Sequence, residues 1–312
     1  MRAKLGRPDM STHASRHDVP AAGEGGLSVT FLGVTTLLIS DGDSAVMTDG
    51  FFSRPGLLQV ALRKVEPSLD RIDAVLERAL GDAGVDGLEA VVPVHSHFDH
   101  ALDSAVVAER TGALLIGGTS TANVGRGGGL APERIRVVAP GDTVQCGPFA
   151  LTFIASAHSS PDRHPGTIDE PVVPPARAGA YRCGEAWSVL LTHTSGRTAL
   201  LHGSAGYVPG SLVGHDAEVA YLGVGQLGVQ PVDDIEAYWK HTVRAVGARR
   251  VVLTHWDDFF RPLDQPLRAL PYAADDLDVT MRVLDRLAAA DGVSLHLPTV
   301  WRREDPRADP AG

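Results

Sequence analysis

The run Val91-Val92-Pro93-Val94-His95-Ser96-His97-Phe98-Asp99-His100 constrains this chain more than any other stretch. An apolar segment ends abruptly in three histidines and one aspartate within six positions. A short apolar run bounded by polar residues reads as a buried strand, and residues two apart on a strand face the same way. His95 and His97 are therefore expected to project together from the strand end. Asp99 and His100 fall where the chain turns towards a helix-like segment, 103–110, with Gly112 as its stop. Imidazole nitrogens and a carboxylate converging on one point suit a borderline-soft divalent cation such as zinc, and the same donor types also accept iron or manganese. A chance polar turn is a poor account of four such donors in six positions.

The rest of the chain alternates strand-like and helix-like patterns around that stretch. Segments 27–32, 35–39 and 44–48 read as strands, with Asp41-Gly42-Asp43 as a hairpin turn. Segment 69–83 places Leu69, Ile72, Val75, Leu76 and Leu80 on one helical face. The glycines of 125–129 lack the Lys-Ser/Thr ending of a phosphate loop and any following helical pattern, so they are expected to form a flexible wall. Two later strand-like runs, 149–157 and 250–254, close on His158 and His255, while 44–48 closes on Asp49. The proline-containing stretch 159–185 has no pattern of its own, which marks a functional loop, here a lid or pocket wall beside His158. Arg177, Arg182 and Tyr181 are its candidate substrate contacts. Residues 1–26 are polar and small and read as a disordered tail, 27–301 as one folded unit, and 302–312 as a second flexible tail.

The spacing His-x-His-x-Asp-His, followed by strand-ending His158 and His255, resembles the signature of the metallo-β-lactamase superfamily. The resemblance runs over about 27–300. It implies a four-layer αβ/βα sandwich with the ligands on loops at one edge of the sheets. It also implies that Asp49 supports a ligand histidine. One element departs from the family pattern: where a Gly-Asp pair is expected, this chain has Gly203-Ser204. Ser204 is then a neighbour of the site rather than a bridging carboxylate, and His202, two residues earlier, is a structural neighbour too. A carboxylate between two cations offsets their repulsion, and a hydroxyl does so far less well. A second ion should bind more weakly unless Asp257 or Asp258 supplies the charge.

The donor types suggest a division of labour. His95, His97 and His158 can supply a three-nitrogen site, and Asp99, His100 and His255 a second, with Asp99 also able to accept a proton. The expected activity is metal-dependent hydrolysis, in which metal-bound hydroxide attacks an ester, lactone or amide of a small molecule. A metal-dependent phosphodiesterase is the alternative enzyme, favoured if Arg126, Arg163, Arg177 and Arg182 form a basic pocket. A non-catalytic metal-binding protein and an iron redox protein on the same fold are the alternatives of a different class. One or two zinc ions are expected. A net charge of −10 over 312 residues argues against a nucleic-acid partner. No apolar run reaches membrane-spanning length and no secretory h-region follows the first residues, so a cytoplasmic location is the default. Cys146 and Cys183 lack metal or disulfide spacing and are expected as buried thiols.

Overall fold

The computed structural model describes residues 4–23 and 26–307. Strands β1 (Ser28–Phe31), β2 (Leu37–Ser40) and β3 (Ala45–Thr48) come first, then helix α1 (Leu57–Leu62), strand β4 (Lys64–Val65) and helix α2 (Leu69–Ala83). Strand β5 (Ala90–Val92) leads through α3 (Phe98–Ala101) and α4 (Ser104–Thr111) to β6 (Leu114–Gly117), α5 (Thr119–Gly127) and β7 (Ile135–Val137). A second run of strands follows: β8 (Thr143–Cys146), β9 (Phe149–Ala155), β10 (Ala176–Arg177), β11 (Trp187–His193), β12 (Thr198–His202) and β13 (Val219–Gly223). The chain closes with α6 (Val232–Trp239), β14 (Arg250–Thr254), α7 (Leu277–Asp291), β15 (Ser294–His296) and β16 (Arg303–Glu304).

Two seven-stranded sheets result, in the orders β16-β1-β2-β3-β5-β6-β7 and β15-β14-β13-β12-β11-β9-β8. Alternation along the strands explains how they pack. In the first sheet Phe31, Leu37, Ile39, Val46, Val92 and Ile116 join a core shared with Phe149, Leu151, Phe153, Val189 and Leu201 of the second. Their neighbours Leu38, Met47, Val91 and Leu115 point the other way, against Ile72, Val75, Leu76 and Ala79 of α2 and Val107 and Ala108 of α4. The opposite face of the second sheet is covered by α6 and α7 through Ile235, Trp239, Met281 and Leu284. Each such fully buried side chain contributes about 1.5–3 kcal/mol of apolar transfer. The four layers are those of the expected αβ/βα sandwich. Glycines at the ends of α2, α4 and α7 (Gly84, Gly112 and Gly292) take the left-handed conformation that closes a helix.

Four expectations need correction. The strand carrying the histidine signature stops at Val92, and 93–97 form an irregular turn whose last residue caps α3. The convergence of the histidines therefore comes from the turn rather than from strand alternation. Glycines 125–127 lie in the last turn of α5, not in a flexible wall. A Cβ on Gly127 would sit 1.9 Å from the Val172 carbonyl oxygen, so glycine there permits close approach of the 159–185 loop. Described residues 4–23 of the expected N-terminal tail pack on the body. Val19 is buried, Arg16 pairs with Asp285, and the His17 Nδ1 meets the Pro298 carbonyl at 3.1 Å. At the other end, β16 pairs antiparallel with β1 instead of fraying, while 308–312 lie outside the described residues, as do 1–3 and 24–25. Among the described residues no helix is long and apolar enough to cross a membrane.

Candidate metal centre

The ends of the parallel strands β3, β5 and β14, with the end of β9, bring the signature residues together. His95, His97 and His158 each direct one ring nitrogen into a common space, all three atoms within 4.8 Å of one another. The His95 Nε2 and His97 Nδ1 face each other at 3.1 Å. The outer nitrogens of His97 and His158 are occupied by backbone, while the buried Nδ1 of His95 has no partner. His158 Nδ1 donates to the Ser159 carbonyl (2.7 Å) and His97 Nε2 to the His164 carbonyl (3.2 Å). With those N–H groups committed outward, the inward nitrogens of both rings are bare lone pairs. Burial and the neighbouring imidazoles hold His95 well below the usual histidine range. Burial likewise lowers His97, against the pull of Asp99 and Asp162, and lowers His158 to about 4, with His97 adding to the effect. These three rings are neutral at pH 7, which is the ligating form.

Asp99, His100 and His255 form a second group with the same compactness, their donor atoms also within 4.8 Å. The two groups adjoin, since the rings of His95 and His100 have centroids 3.9 Å apart. Asp99 lies 3.6 Å from His100 Nε2 and 3.5 Å from His255 Nε2. Burial alone would raise its carboxyl, but His100, His255 and His97 outweigh that and hold it well below the carboxylate range. Behind His100 stands Asp49, fully buried, whose Oδ2 is 2.9 Å from His100 Nδ1 and whose Oδ1 accepts the Val94 N–H at 2.9 Å. Burial would lower His100, yet Asp49 and Asp99 outweigh it and raise the ring's affinity for a proton. Asp49 and His255 both adopt positive φ, +53° and +57°, at strand ends. Such backbone costs of order 1–3 kcal/mol per residue and is retained only where surrounding structure enforces it.

The donor set fits a cation. His100 gives its Nδ1 proton to Asp49, so its buried Nε2, which has no partner, is a second lone pair facing the Asp99 carboxylate. In the neutral ring two acceptors face each other, a conflict that either a proton on Nε2 or a cation relieves, and an unmet buried group costs about 1–3 kcal/mol. A divalent ion held by His100, Asp99 and His255 removes the conflict. The inward nitrogens of His97 and His158, bare because their N–H groups are committed outward, are likewise placed to meet a cation together with His95.

Other expected residues fall elsewhere. Ser204 is buried and its Oγ accepts the Ser159 N–H at 2.9 Å, tying the segment after β12 to the turn after His158. Asp257 is not available as a replacement ligand. Its Oδ1 accepts the Val34 N–H (2.8 Å) and its Oδ2 pairs with Arg54 (2.7 Å), both side chains fully buried. Asp258 is held by Arg7 and Arg268. Tyr181 is packed in an apolar cluster with Phe51, Phe98 and Ile168. Burial pushes its hydroxyl beyond the usual tyrosine range, and its packing argues against substrate contact. Arg177 and Arg182 are exposed, with Arg177 reaching the Leu62 carbonyl. Three contributors escaped the sequence reading. The Thr35 hydroxyl bonds Asp49 and meets His100, Phe259 packs on His255 with ring centroids 5.8 Å apart, and Asp162 reaches His97. Thr35 and Phe259 are single residues in unremarkable context; only the nearness of Asp162 to His158 was visible.

The family model of the metallo-β-lactamase superfamily matches residues 29–208, more than half of the chain. A metal-dependent hydrolase of Anaeromyxobacter sp. (strain K) is 27% identical over 145 residues, 45% of this chain and 46% of that protein. Another, of Chelativorans sp. (strain BNC1), is 33% identical over 75 residues, 24% of this chain and 32% of that protein. The chain thus matches less than half the length of these relatives. Among solved structures, a possible metal-dependent hydrolase from Veillonella parvula DSM 2008 has a TM-score of 0.54 at 14% identity, covering 89% of this chain and 98% of its own. CmlA, a diiron β-hydroxylase from Streptomyces venezuelae, has a TM-score of 0.51 at 12% identity, covering 90% of this chain and 54% of its own. Both structural likenesses concern the fold alone. By its family-model match, the chain belongs to the metallo-β-lactamase superfamily.

Proposed function

We propose that this protein is a metal-dependent hydrolase that cleaves an ester, lactone or amide bond in a small molecule carrying an apolar group. The observation that carries the reading is the pair of adjoining three-donor groups, His95/His97/His158 and Asp99/His100/His255. Zinc suits these donors, and the carboxylate in the second group leaves iron or manganese open to assay. A divalent ion bound there acidifies a water molecule and polarises a carbonyl.

The protein's own part follows from its geometry. The outward hydrogen bonds of His97, His158 and His100 fix which nitrogen of each ring faces inward, so the site is organised before a cation arrives. The Asp99 carboxylate, held ionised by His100, His255 and His97, is placed to orient the attacking water by accepting its hydrogen bond. Phe259 packs on His255 and is flanked by Phe98 and Phe260, with Phe98–Phe259 and Phe259–Phe260 centroids at 6.3 and 4.4 Å. This half-buried aromatic wall suits an acyl or aryl group and sheds water from the reacting bond. The phosphodiesterase alternative needs converging cations. Arg126, Arg163, Arg177 and Arg182 are instead all exposed, and Arg126 is turned to the Asn123 side chain.

The test pairs elemental analysis of protein purified without added metal with a screen of aryl esters, lactones, β-lactams and phosphodiesters. Bound zinc with turnover of an apolar ester, lactone or amide is expected. Turnover confined to phosphodiesters would reverse the choice, and a metal-loaded protein inactive on every class would favour a binding protein.

A further inference from the structure

The 159–185 loop does more than border the metal centre. His97 Nε2 points away from the inner group and meets two atoms of this loop, the His164 carbonyl and the Asp162 Oδ1, each at 3.2 Å. The two are built into one turn, because Asp162 Oδ1 also accepts the His164 N–H at 2.9 Å. An aspartate bonding the amide two residues on is a stable local device that does not depend on the rest of the loop. The turn is itself pinned. Cys183 N–H donates to the His164 carbonyl (2.9 Å), and Ser96 N–H, next to His97, donates to the Cys183 carbonyl (2.8 Å). Farther along, Glu185 accepts the N–H groups of Thr119 and Ser120 at the start of α5, and Asn123 holds the Ile168 carbonyl at 2.7 Å.

We infer that Asp162 is a positioning residue for the metal centre: its turn sets the carbonyl that holds His97 Nε2–H and lays a negative charge beside that N–H. The inference rests on the reading of His97 as a ligand through Nδ1. Its physical basis is general. A ligand imidazole whose far N–H meets a carbonyl or carboxylate is locked in one tautomer and made more basic, and losing such a partner weakens metal binding about 10- to 100-fold. The consequence is reciprocal. A loop that supports a ligand is in turn ordered by the metal, so access to the site and metal retention become one property.

His97, Asp162 and Cys183 also lie within 4.8 Å of one another, an arrangement that a third ion could exploit. Against that, the Cys183 thiol is pushed up to about 12 by burial and by Asp162, so it is a neutral thiol rather than a thiolate ligand.

Zinc affinity of metal-free protein, measured by competition with a chromogenic chelator, tests the inference without recourse to turnover. Asp162→Ala should weaken the tightest zinc event about 10- to 100-fold. Its melting temperature without metal should stay close to that of the wild type. Asp162→Asn, which rebuilds the turn but not the charge, should recover part of the loss, and zinc should protect the 159–185 amides from exchange in the wild type but less in Asp162→Ala. Affinity of Asp162→Ala within twofold of the wild type would overturn the inference, as would a Cys183→Ser variant that binds one zinc fewer with the tight event unchanged. His95→Ala separates the two levels of the argument. If it abolishes tight zinc binding while Asp162→Ala does not, the metal centre stands and the role of Asp162 falls. A wild type that holds no zinc, iron or manganese removes both.

Discussion

The two donor groups of the centre are built on different principles. His95, His97 and His158 are three neutral rings, kept neutral by burial, and the outward nitrogens of His97 and His158 rest on backbone carbonyls. Asp99, His100 and His255 include a carboxylate, and the outward nitrogen of His100 rests on a second one, Asp49. On the proposed reading, the first group would bind a cation by donor number and fit, the second by charge. At the position where the family pattern has an aspartate, Ser204 spends its hydroxyl on the Ser159 amide, next to His158. Neither Asp257 nor Asp258 takes over, since both are locked in ion pairs with arginines. Two cations placed side by side repel strongly at short range. The comparison therefore teaches that the ions should differ in affinity, the first tight and the second weak.

The largest expected effect is on the first group. His158→Ala or His97→Ala should remove the tightly held ion and all hydrolysis, measured by elemental analysis and turnover. Full metal content in either variant would remove that residue from the ligand set. Next comes Arg54→Met, which leaves Asp257 charged, buried and unpaired. Breaking a buried pair on one side costs about 3–5 kcal/mol, readable in urea unfolding. Zinc stoichiometry of the folded variant should not change. A variant as stable as the wild type but short of one ion would return Asp257 to the centre.

A third test concerns His202 at the end of β12. His202 is buried, with Nδ1 accepting from the Ser188 hydroxyl (2.7 Å) and Nε2–H donating to the Gly206 carbonyl (2.8 Å). Burial lowers it to about 4. The unfolded chain takes this proton near 6.5, so stability is complete above that pH and is lost as pH falls towards 4. The loss is on the order of 3 kcal/mol. Metal-free wild type compared with His202→Gln by unfolding across pH 4–7 should show the variant's profile flatter. Parallel profiles would mean that His202 is not held neutral. The smallest effect falls on the second group. Asp49→Asn should weaken the second ion about 10- to 100-fold and spare the first.

What the sequence made legible was whatever repeats or clusters. The 69–83 helix was readable because its apolar residues recur at helical spacing, and the observed α2 has those bounds. The signature was readable because six neighbouring positions carry four donors. The fate of Asp257 was not, because it depends on Arg54, 203 positions away, and no local pattern links the two. The N-terminal segment was misread for a similar reason. It is anchored by single residues such as Val19 and Arg16, without the periodicity that marks a packed element. Asp162 lay four residues after His158 in a stretch read only as a wall, and its relation to His97 appears only when the loop folds back.

The asymmetry of the two groups is tested most directly by calorimetric titration of zinc into metal-free wild type, His158→Ala and His255→Ala. The account predicts two separated events in the wild type, the tighter one missing in His158→Ala and the weaker one missing in His255→Ala. Ser204→Asp should shift only the weaker event to lower zinc concentration, because the new carboxylate offsets charge between the ions. A single event of two equivalent ions in the wild type, lost as a whole in either histidine variant, would contradict it.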